Sequence, residues 1–451
     1  MNRTLPLILT AALLLTACAS AVPAQSADAT TSPSAAASST AQPDAAASSP
    51  SQPAAETSAP PLTPKFPVGH LLTLPQNQNS GPVWNTGDAL YELRDASNMT
   101  PEALVLKTDY AALTQSVYCD IPGCTHDSDA CPAYLASDFC VGVMAVDGTV
   151  YTYPGELTNV APTQIYRIDP AAGKTPVAAV PDALPHHMQL QWCDEYALYG
   201  CPLAASHQPG TLYRWDWRND TVQTIPMLAD EKIIACEGSR FLTIRIEANE
   251  PFPNFGSTEQ EKAILAHAVY VYAWLDPATG AREKICTRPY ADGYFHNYYD
   301  GRIYYTGNFR NADTPGQQAA LLYFDTADGT EKTLLETIPF DTYGIDVCEP
   351  FSPAFAGVPQ RYLRVLNVGD AYADCLLDME TGDVLPAPAV TAEGVRRPAL
   401  LLACTASGQW LTSANPRDSY DPQYSLYALW DPADFLADGQ PAAWVTMYAT
   451  E

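Results

Sequence analysis

The sequence predicts an all-β chain built from repeated units, and three observations support this. An apolar run that ends in aspartate recurs seven times, at intervals of 47 to 60 residues. Tyrosine (26) outnumbers phenylalanine (12), proline (40) and glycine (25) are plentiful, and no long stretch has helical periodicity. A period of this size, made of short strands, is typical of a β-propeller with one blade per repeat. We therefore predict a single β-propeller of seven four-stranded blades, with six or eight blades as the alternatives.

Four strands can be placed around each repeated aspartate. In the second repeat the predicted strands are 141–146, 149–153, 164–168 and 176–180, and Asp147-Gly148 supplies the turn between the first two. Repeats four, five and seven follow the same plan, and repeats one and six are less regular. Segment 69–74 is expected to complete either the first or the last blade. The seven aspartates are Asp109, Asp169, Asp216, Asp276, Asp325, Asp378 and Asp431.

The first 18 residues predict export. A short positive start is followed by an apolar stretch, 5–16, that is too short to span a membrane as a stable helix. It ends in Leu15-Thr16-Ala17-Cys18, which resembles the lipobox of bacterial lipoproteins, whose cysteine is lipidated with acyl chains such as palmitate. The resemblance implies a signal peptide over 1–18, lipidation of Cys18, and an anchor in the outer face of the cytoplasmic membrane. The alternative is an ordinary secretory signal, which also places the protein outside the cytoplasm.

The next segment, 19–65, predicts a linker. It consists almost wholly of alanine, serine, threonine and proline, and such a composition cannot bury enough apolar surface to offset the entropy of ordering. We interpret it as a disordered spacer between the lipid anchor and the propeller. The propeller domain is then predicted over 66–451.

The charge balance restricts the class of partner. The chain has 51 acidic and 23 basic residues, a net charge of −28, which would repel a phosphate backbone and disfavours nucleic acid. Direct adhesion to an anionic membrane or wall polymer is disfavoured too, unless divalent cations bridge the two. Apart from its lipid anchor, we expect a monomer with a protein, peptide or glycan as its ligand.

The longest insertions fall between the second and third predicted strands of five repeats, as in 249–262, 307–318 and 414–423. Such loops open on one face of a propeller, and clustered insertions usually mark the binding side of a repeat array. The alternative is that length variation is simply tolerated there. Aromatic residues in these loops could stack on a ligand or fold back on their own loops. They are Phe252, Phe255, Phe309, Tyr420 and Tyr424.

A cysteine cluster is the sharpest local motif of the chain. It comprises Cys119, Cys124, His126 and Cys131, with Cys140 nine residues on, and we expect it in the link between the first two blades, on the face of the long loops. Three thiolates and an imidazole suit tetrahedral zinc, and with four protein ligands the metal would be structural. Disulfides are an alternative that an extracytoplasmic setting favours, and reduced thiols are a third.

The spacing Cys-x4-Cys-x-His-x4-Cys resembles a motif of uncharacterised, TolB-like propeller lipoproteins of Gram-positive bacteria. The resemblance extends over the propeller, but only this motif is specific. It implies the fold and the anchor. That family has no assigned activity, so no catalytic residue is carried over.

Other cysteines follow the repeat. Cys193, Cys236 and Cys404 each end a predicted first strand, and Met144 occupies the matching place in the second repeat. A position filled by cysteine or methionine is most simply a small apolar core site. With Cys18 lipidated, eleven cysteines remain, which is incompatible with complete intramolecular pairing.

The local signatures of catalysis are missing. The sequence contains no Gly-x-Ser-x-Gly, no His-Glu-x-x-His and no phosphate-binding loop. We therefore predict a non-catalytic binding or scaffold module and assign no catalytic residue. The alternative is an extracellular carbohydrate-active enzyme that uses paired carboxylates in the central channel.

Overall fold

The computed structural model describes part of the chain, and all of it belongs to one compact unit, Pro61–Glu451. The other unit, Met1–Pro60, lies outside the described residues, and so do Cys18 and most of the predicted linker. The described ranges are 63–74, 83–95, 102–136, 141–157, 163–202, 207–250, 258–290, 296–307, 320–337, 349–350, 361–365, 375–386, 389–392, 395–414 and 426–448.

Antiparallel sheets of four to six strands dominate the described ranges, and seven of them follow one another along the chain. Each is built mainly from strands that are consecutive in sequence, the pattern of propeller blades. The predicted all-β class and the β-propeller architecture are therefore confirmed. We number the sheets 1 to 7 in chain order.

Sheets 1 and 2 lie in the first part of the chain. Strand β1 covers Leu72–Thr73. Sheet 1 contains β2 Val83–Asn85, β3 Ala89–Asp95, β4 Ala103–Asp109 and β5 Thr114–Val117, with β6 Tyr134–Leu135 also paired to β4. Sheet 2 contains β7 Val141–Val146, β8 Thr149–Pro154, β10 Gln164–Asp169 and β11 Gly173–Ala179, and β9 is Glu156–Leu157.

Sheets 3 and 4 follow, and the first of them recruits β1 and β9. Sheet 3 contains β12 Met188–Cys193, β13 Leu198–Pro202, β14 Pro209–Asp216 and β15 Thr221–Ala229. Sheet 4 contains β16 Lys232–Glu237, β17 Arg240–Glu247, β18 Val269–Leu275 and β19 Arg282–Pro289. Helix α1, Thr258–Leu265, lies in the connection from β17 to β18, where we predicted only a loop.

Sheets 5 to 7 complete the array. Sheet 5 contains β20 His296–Tyr299, β21 Arg302–Gly307, β22 Ala320–Asp325 and β23 Thr330–Leu335. Sheet 6 contains β24 Glu349–Pro350, β25 Tyr362–Val365, β26 Cys375–Asp378 and β27 Val384–Pro386, and a hairpin of β28 Ala389–Ala392 and β29 Val395–Pro398 follows. Sheet 7 contains β30 Leu400–Cys404, β31 Trp410–Ala414, β32 Leu426–Trp430 and β33 Ala443–Trp444, with helix α2, Pro432–Leu436, between the last two.

Six of these sheets have described side chains in all four of their main strands, and we count these six as blades, one fewer than the seven predicted. Sheet 6 differs because the side chains of its first strand, β24, lie outside the described residues.

The repeated aspartate is a turn residue, which explains why the repeat was visible in the sequence. Each of the seven ends or follows the third main strand of its sheet. Its carboxylate accepts a hydrogen bond from a backbone N–H two or three residues on, and this satisfies a donor that the turn would otherwise leave unpaired. The donors lie 2.8 to 3.1 Å away and belong to Ala111, Ala171, Asn219, Ala278, Ala327, Glu380 and Ala433.

The repeated cysteine position is a core position, as predicted. Met144 and Cys193 are buried in one apolar cluster, and Cys236 and Cys404 are half-buried against two others. In three of the sheets the register of the first strand shifts just before the cysteine, between Leu190 and Trp192 in sheet 3 for example. A bulge re-aims the following side chain, so it turns the cysteine toward the core.

The expectation for segment 69–74 was wrong. Its strand β1 pairs with β12 of sheet 3, with Leu72 opposite Cys193, and not with the first or last sheet. Leu71 and Leu74 are buried, and the Leu71 N–H donates to the Gly238 carbonyl of sheet 4 at 2.7 Å. Sheets 1 and 7 each form four strands from their own repeats, so the segment packs where its leucines can be buried.

The array closes between sheet 7 and sheet 1. Thr446 forms a parallel β-bridge with Thr114. The Gln115 N–H donates to the Thr446 carbonyl at 2.9 Å, and the Thr446 N–H donates to the Leu113 carbonyl at 2.8 Å. The Tyr427 hydroxyl of β32 donates to the buried Glu92 of β3 at 2.6 Å. Residues more than 300 positions apart in the chain therefore form a common interior.

The helices in the described ranges are short or polar, and none of them could cross a membrane.

Candidate metal centre

Four side chains of the predicted cluster converge in the structure. The potential ligand atoms of Cys119, Cys124, His126 and Cys131 all lie within 4.8 Å of one another. The Nδ1 of His126 lies 3.3 Å from the Sγ of Cys131. Cys131 is buried and the other three are half-buried, so the donors form a partly shielded site.

The segment that carries these ligands interrupts the edge strand of sheet 1. Strands β5 and β6 both pair with β4, and the chain leaves after Tyr118, whose N–H donates to the Val105 carbonyl at 2.9 Å. It returns at Ala133, whose carbonyl accepts from the Val105 N–H at 2.9 Å. We call residues 119–133 the cysteine loop. The cysteine loop lies between β5 of sheet 1 and β7 of sheet 2, as predicted, and the chain pairs with β4 once more before it reaches sheet 2.

Two turns bring the ligands of the cysteine loop together. The Cys124 N–H donates to the Ile121 carbonyl at 3.2 Å, and Gly123 in this turn has a φ of 73° that favours glycine. His126 has a φ of 59°, a left-handed conformation uncommon for a residue with a side chain. These two conformations bend the chain within the loop, where the four ligand atoms meet.

The cysteine loop also docks on sheet 2. The Asp120 N–H donates to the Pro170 carbonyl, in the turn after β10, at 2.8 Å. The Lys174 ammonium, at the start of β11, lies 3.0 Å from the Asp129 carboxylate and donates to the Tyr134 carbonyl. The loop thus joins two neighbouring sheets, and its position depends on both.

The thiols differ in acidity. A hydrogen bond from the His126 backbone N–H holds the pKa of Cys124 below its ordinary value. Burial raises the pKa of Cys119, and it raises that of Cys131 to about 12. Thiolates are the metal-binding form, so a metal would have to displace the protons of Cys119 and Cys131, whose pKa values are raised. The affinity for the metal should therefore increase with pH.

Three alternatives were open for these cysteines. Cys119, Cys124 and Cys131 are free thiols in the structure, so the disulfide alternative is not realised among them. Cys140 lies outside the described residues. The same is true of the five aromatic residues proposed for the ligand face, Phe252, Phe255, Phe309, Tyr420 and Tyr424.

Three carboxylates whose side chains are largely buried, among others in the described ranges, are already engaged. Glu92 contacts Arg94, Gln115 and Tyr427, and Asp378 forms two hydrogen bonds with Arg361. Burial opposes ionisation of Glu231, but hydrogen bonds led by Arg282 outweigh it and hold its pKa below the ordinary value. These contacts assign the three carboxylates to structural roles.

A cavity at the meeting point of three sheets was missed by sequence reasoning. It has a volume of about 870 Å³ and is lined by residues of sheets 1, 2 and 7, among them Tyr91, Lys107 and Asp109. Lys107 and Asp109 alternate on one strand and so share a face, a signal that the sequence contained. The lining residues of sheets 2 and 7 come from distant repeats, and no local pattern pointed to them.

No protein-family model matches the chain, and no curated protein matches it in sequence. Among solved structures it is similar to the β-propeller domain of the Trilobed protease from Pyrococcus furiosus, with 8% identity, a TM-score of 0.44, and coverage of 80% of this chain and 96% of that one. It is similar to TolB from Acinetobacter baumannii with 12% identity, a TM-score of 0.29, and coverage of 79% and 82%. At such scores the likenesses carry no conclusion about activity, and the fold rests on the sheets described above.

Proposed function

We propose that this chain is a lipid-anchored, extracytoplasmic β-propeller that acts as a non-catalytic binding or scaffold module and holds a structural zinc ion in its cysteine loop. The convergence of three thiols and an imidazole within 4.8 Å is the observation that carries the proposal. The lipid anchor at Cys18 is supported by the lipobox resemblance alone.

The donor set fits zinc. Zinc binds thiolate at about 2.3 Å and imidazole at about 2.0 Å in tetrahedral geometry, so ligand atoms around one ion lie roughly 4 Å apart. A Cys3His set is one of the common structural combinations. Four protein ligands leave no open position for water or substrate, which supports a stabilising role over a catalytic one.

Zinc would have a defined mechanical effect here. The cysteine loop has only a few backbone bonds of its own, and its contacts on sheet 2 run through Asp120, Asp129 and Lys174. An ion held by Cys119 near the start of the loop and Cys131 near its end would close the loop at its base. It would thereby stabilise the junction between sheets 1 and 2.

Metal content tests the zinc proposal. We expect about one zinc per purified full-length chain by mass spectrometry of the elements, and none in Cys124→Ser. The matched control is Cys286→Ala, which removes a half-buried thiol from sheet 4 and should leave the zinc in place. The proposal would be contradicted if the wild type, purified in the absence of chelators, contained no zinc. It would also be contradicted if Cys124→Ser retained zinc.

Anchoring is tested independently. In cells that express the full chain, labelled palmitate should enter the wild type and not Cys18→Ala, and only the wild type should stay with the membrane fraction. Equal labelling of both would show that Cys18 is not the lipidation site.

The ligand of the module is proposed to be a protein, peptide or glycan, bound by a monomer. A pull-down from native envelope with the full chain should capture a partner, and deletion of 249–262 should reduce its recovery if the long-loop face is the binding side. Capture that is unchanged by the deletion would exclude that face.

Sheet 6 is proposed to be the seventh blade. Its third strand ends in a repeated aspartate, Asp378, and it has the same four-strand order as its neighbours. Buried Leu376 and Tyr362 belong to the apolar cluster of sheet 7, which supports packing as a blade. An experimental structure with six sheets around the axis would overturn this count.

A further inference from the structure

The cavity of about 870 Å³ lies where the turns of three sheets meet. Its walls include the β2–β3 turn of sheet 1, the β7–β8 turn of sheet 2 and the β30–β31 turn of sheet 7. These turns each join a first strand to a second strand, so they lie at the strand ends opposite to those from which the second strands lead to the third. Gly87 permits the close approach of sheets 1 and 7, because a Cβ there would lie 3.2 Å from Ala406.

The lining combines polar groups with apolar surface, and no large aliphatic side chain contributes to it. It offers the carboxylates of Asp88 and Asp109, the ammonium of Lys107, the amide of Gln409 and the hydroxyl of Ser407. Alanine is the largest aliphatic residue in it, so an apolar ligand would gain little from burial. Two carboxylates against one ammonium, in a chain of net charge −28, disfavour an anion.

One aromatic residue provides a platform beside the charged pair. Tyr91 lies directly opposite Lys107 in the β3–β4 register and lines the cavity. Lys107 is 3.0 Å from Asp109, and their side chains are 33% and 36% exposed, so both can contact a ligand. The Tyr118 ring packs edge-on against Tyr91 at 5.2 Å and holds its orientation.

We propose that this cavity, which we call the groove, binds a short neutral oligosaccharide. The inference rests on the proposed binding function and names the class of its ligand. Sugar hydroxyls both donate and accept hydrogen bonds, which matches a lining that mixes carboxylate, ammonium and amide groups. The apolar face of a sugar ring packs on a tyrosine ring such as Tyr91. The volume lies in the range of pockets for drug-sized ligands, roughly 300–1,000 Å³, which suits a few sugar rings.

The groove is connected to the cysteine loop. Tyr118, which holds Tyr91 in place, directly precedes the ligand Cys119. An ordered cysteine loop therefore fixes one wall of the groove. Removal of zinc is expected to weaken oligosaccharide binding without touching a residue of the groove.

Calorimetric titration of the full chain with neutral tetrasaccharides of glucose, N-acetylglucosamine and mannose tests the proposal. We expect at least one to bind with a dissociation constant of roughly 0.01–1 mM, typical of modest polar sites. Lys107→Met and Gln409→Ala should each weaken it about tenfold, which corresponds to about 1.4 kcal/mol.

Lys332→Met is the matched control. It removes a lysine from an equivalent exposed pair, Lys332 with Asp325 at 3.0 Å, on the distant sheet 5, and should not change the affinity. No binding of any tetrasaccharide at millimolar concentration, or binding that both groove variants leave unchanged, would overturn the proposal. An envelope partner still captured in the pull-down would then leave the broader binding function standing.

Discussion

Two regions of the molecule are held in contrasting ways. The closure seam is formed by the buried Glu92, Arg94, Gln115 and Tyr427 and by the backbone of the exposed Thr446, and it joins sheets 1 and 7. The cysteine loop, 119–133, contains exposed polar residues and is tied down by single backbone bonds and one lysine. The seam links distant parts of the chain, whereas all cysteine-loop ligands fall within thirteen residues.

The contrast shows two solutions to the same problem. At the seam, Glu92 is 2% exposed and Arg94 is 5% exposed, so each buried charge is compensated by the other. The network thereby specifies how the ends of the array meet. In the cysteine loop little apolar surface is available for burial. Convergent thiols and an imidazole supply the cross-link that packing does not, provided that a metal joins them.

The largest effect is expected at the seam. Glu92→Ala leaves the Arg94 guanidinium buried without its carboxylate and should lower the free energy of unfolding by about 3–5 kcal/mol. Urea denaturation of the full chain measures this. The control is Glu283→Ala, which breaks an exposed ion pair in which Arg240 is 42% and Glu283 is 74% exposed. It should lower the free energy of unfolding by about 0–1 kcal/mol. Equal losses would show that burial does not strengthen the seam.

Zinc is expected to have the next largest effect, and only through the cysteine loop. With free zinc at a hundred times its dissociation constant, binding should stabilise the wild type by about 2.7 kcal/mol, an amount that a chelator removes. Cys131→Ser should show no such difference between zinc and chelator. A wild-type melting temperature that the chelator leaves unchanged would refute the cross-link.

Thiol reactivity sharpens the description of the zinc-free cysteine loop. Because the pKa of Cys124 is lowered and that of Cys131 is raised to about 12, more Cys124 is thiolate near neutral pH. Iodoacetamide should modify Cys124 at least about tenfold faster than Cys131 near neutral pH, and the rate at Cys131 should rise only at much higher pH. Peptide mass spectrometry gives both rates. Faster modification of Cys131 would contradict the assignment, and added zinc should slow both.

The smallest effect is expected where a repeated turn supports the cysteine loop. Asp169→Ala removes the bond to the Ala171 N–H and loosens the turn whose Pro170 carbonyl accepts from Asp120. It should cost about 1 kcal/mol in unfolding and weaken zinc binding slightly. Asp325→Ala removes the same turn bond in sheet 5, together with the ion pair to Lys332, and should cost at least as much without any effect on zinc. Identical zinc affinities in both variants would show that the turn does not position the loop.

Local signals predicted the strands well. The predicted strand 141–146 coincides with β7, and β10 extends the prediction 164–168 by one residue, since turn chemistry and apolar runs are properties of adjacent residues. The prediction for β11 began three residues late because its pairing with Asp169 starts at Gly173. The ligands of the cysteine loop were predictable too, because a short segment holds all four.

Non-local pairing was not predictable in the same way. Nothing in residues 134–135 indicates that they return to β4 and pair with Ala103 and Leu104, yet this pairing fixes the end of the cysteine loop on sheet 1. The docking of β1 on sheet 3 likewise depends on the buried side chains of distant repeats. The cavity is formed by turns from three sheets and has no local signature.

The sequence by itself determined the all-β propeller, the recurrence of an aspartate in each repeat and the donor set of the cysteine loop. These depend on the chemistry and spacing of neighbouring residues. Only the tertiary structure decided how the array closes, where the first segment docks, and that the groove and the cysteine loop share Tyr118 as a support. Such features arise from burial between segments far apart in the chain, and burial is a property of the assembled sheets.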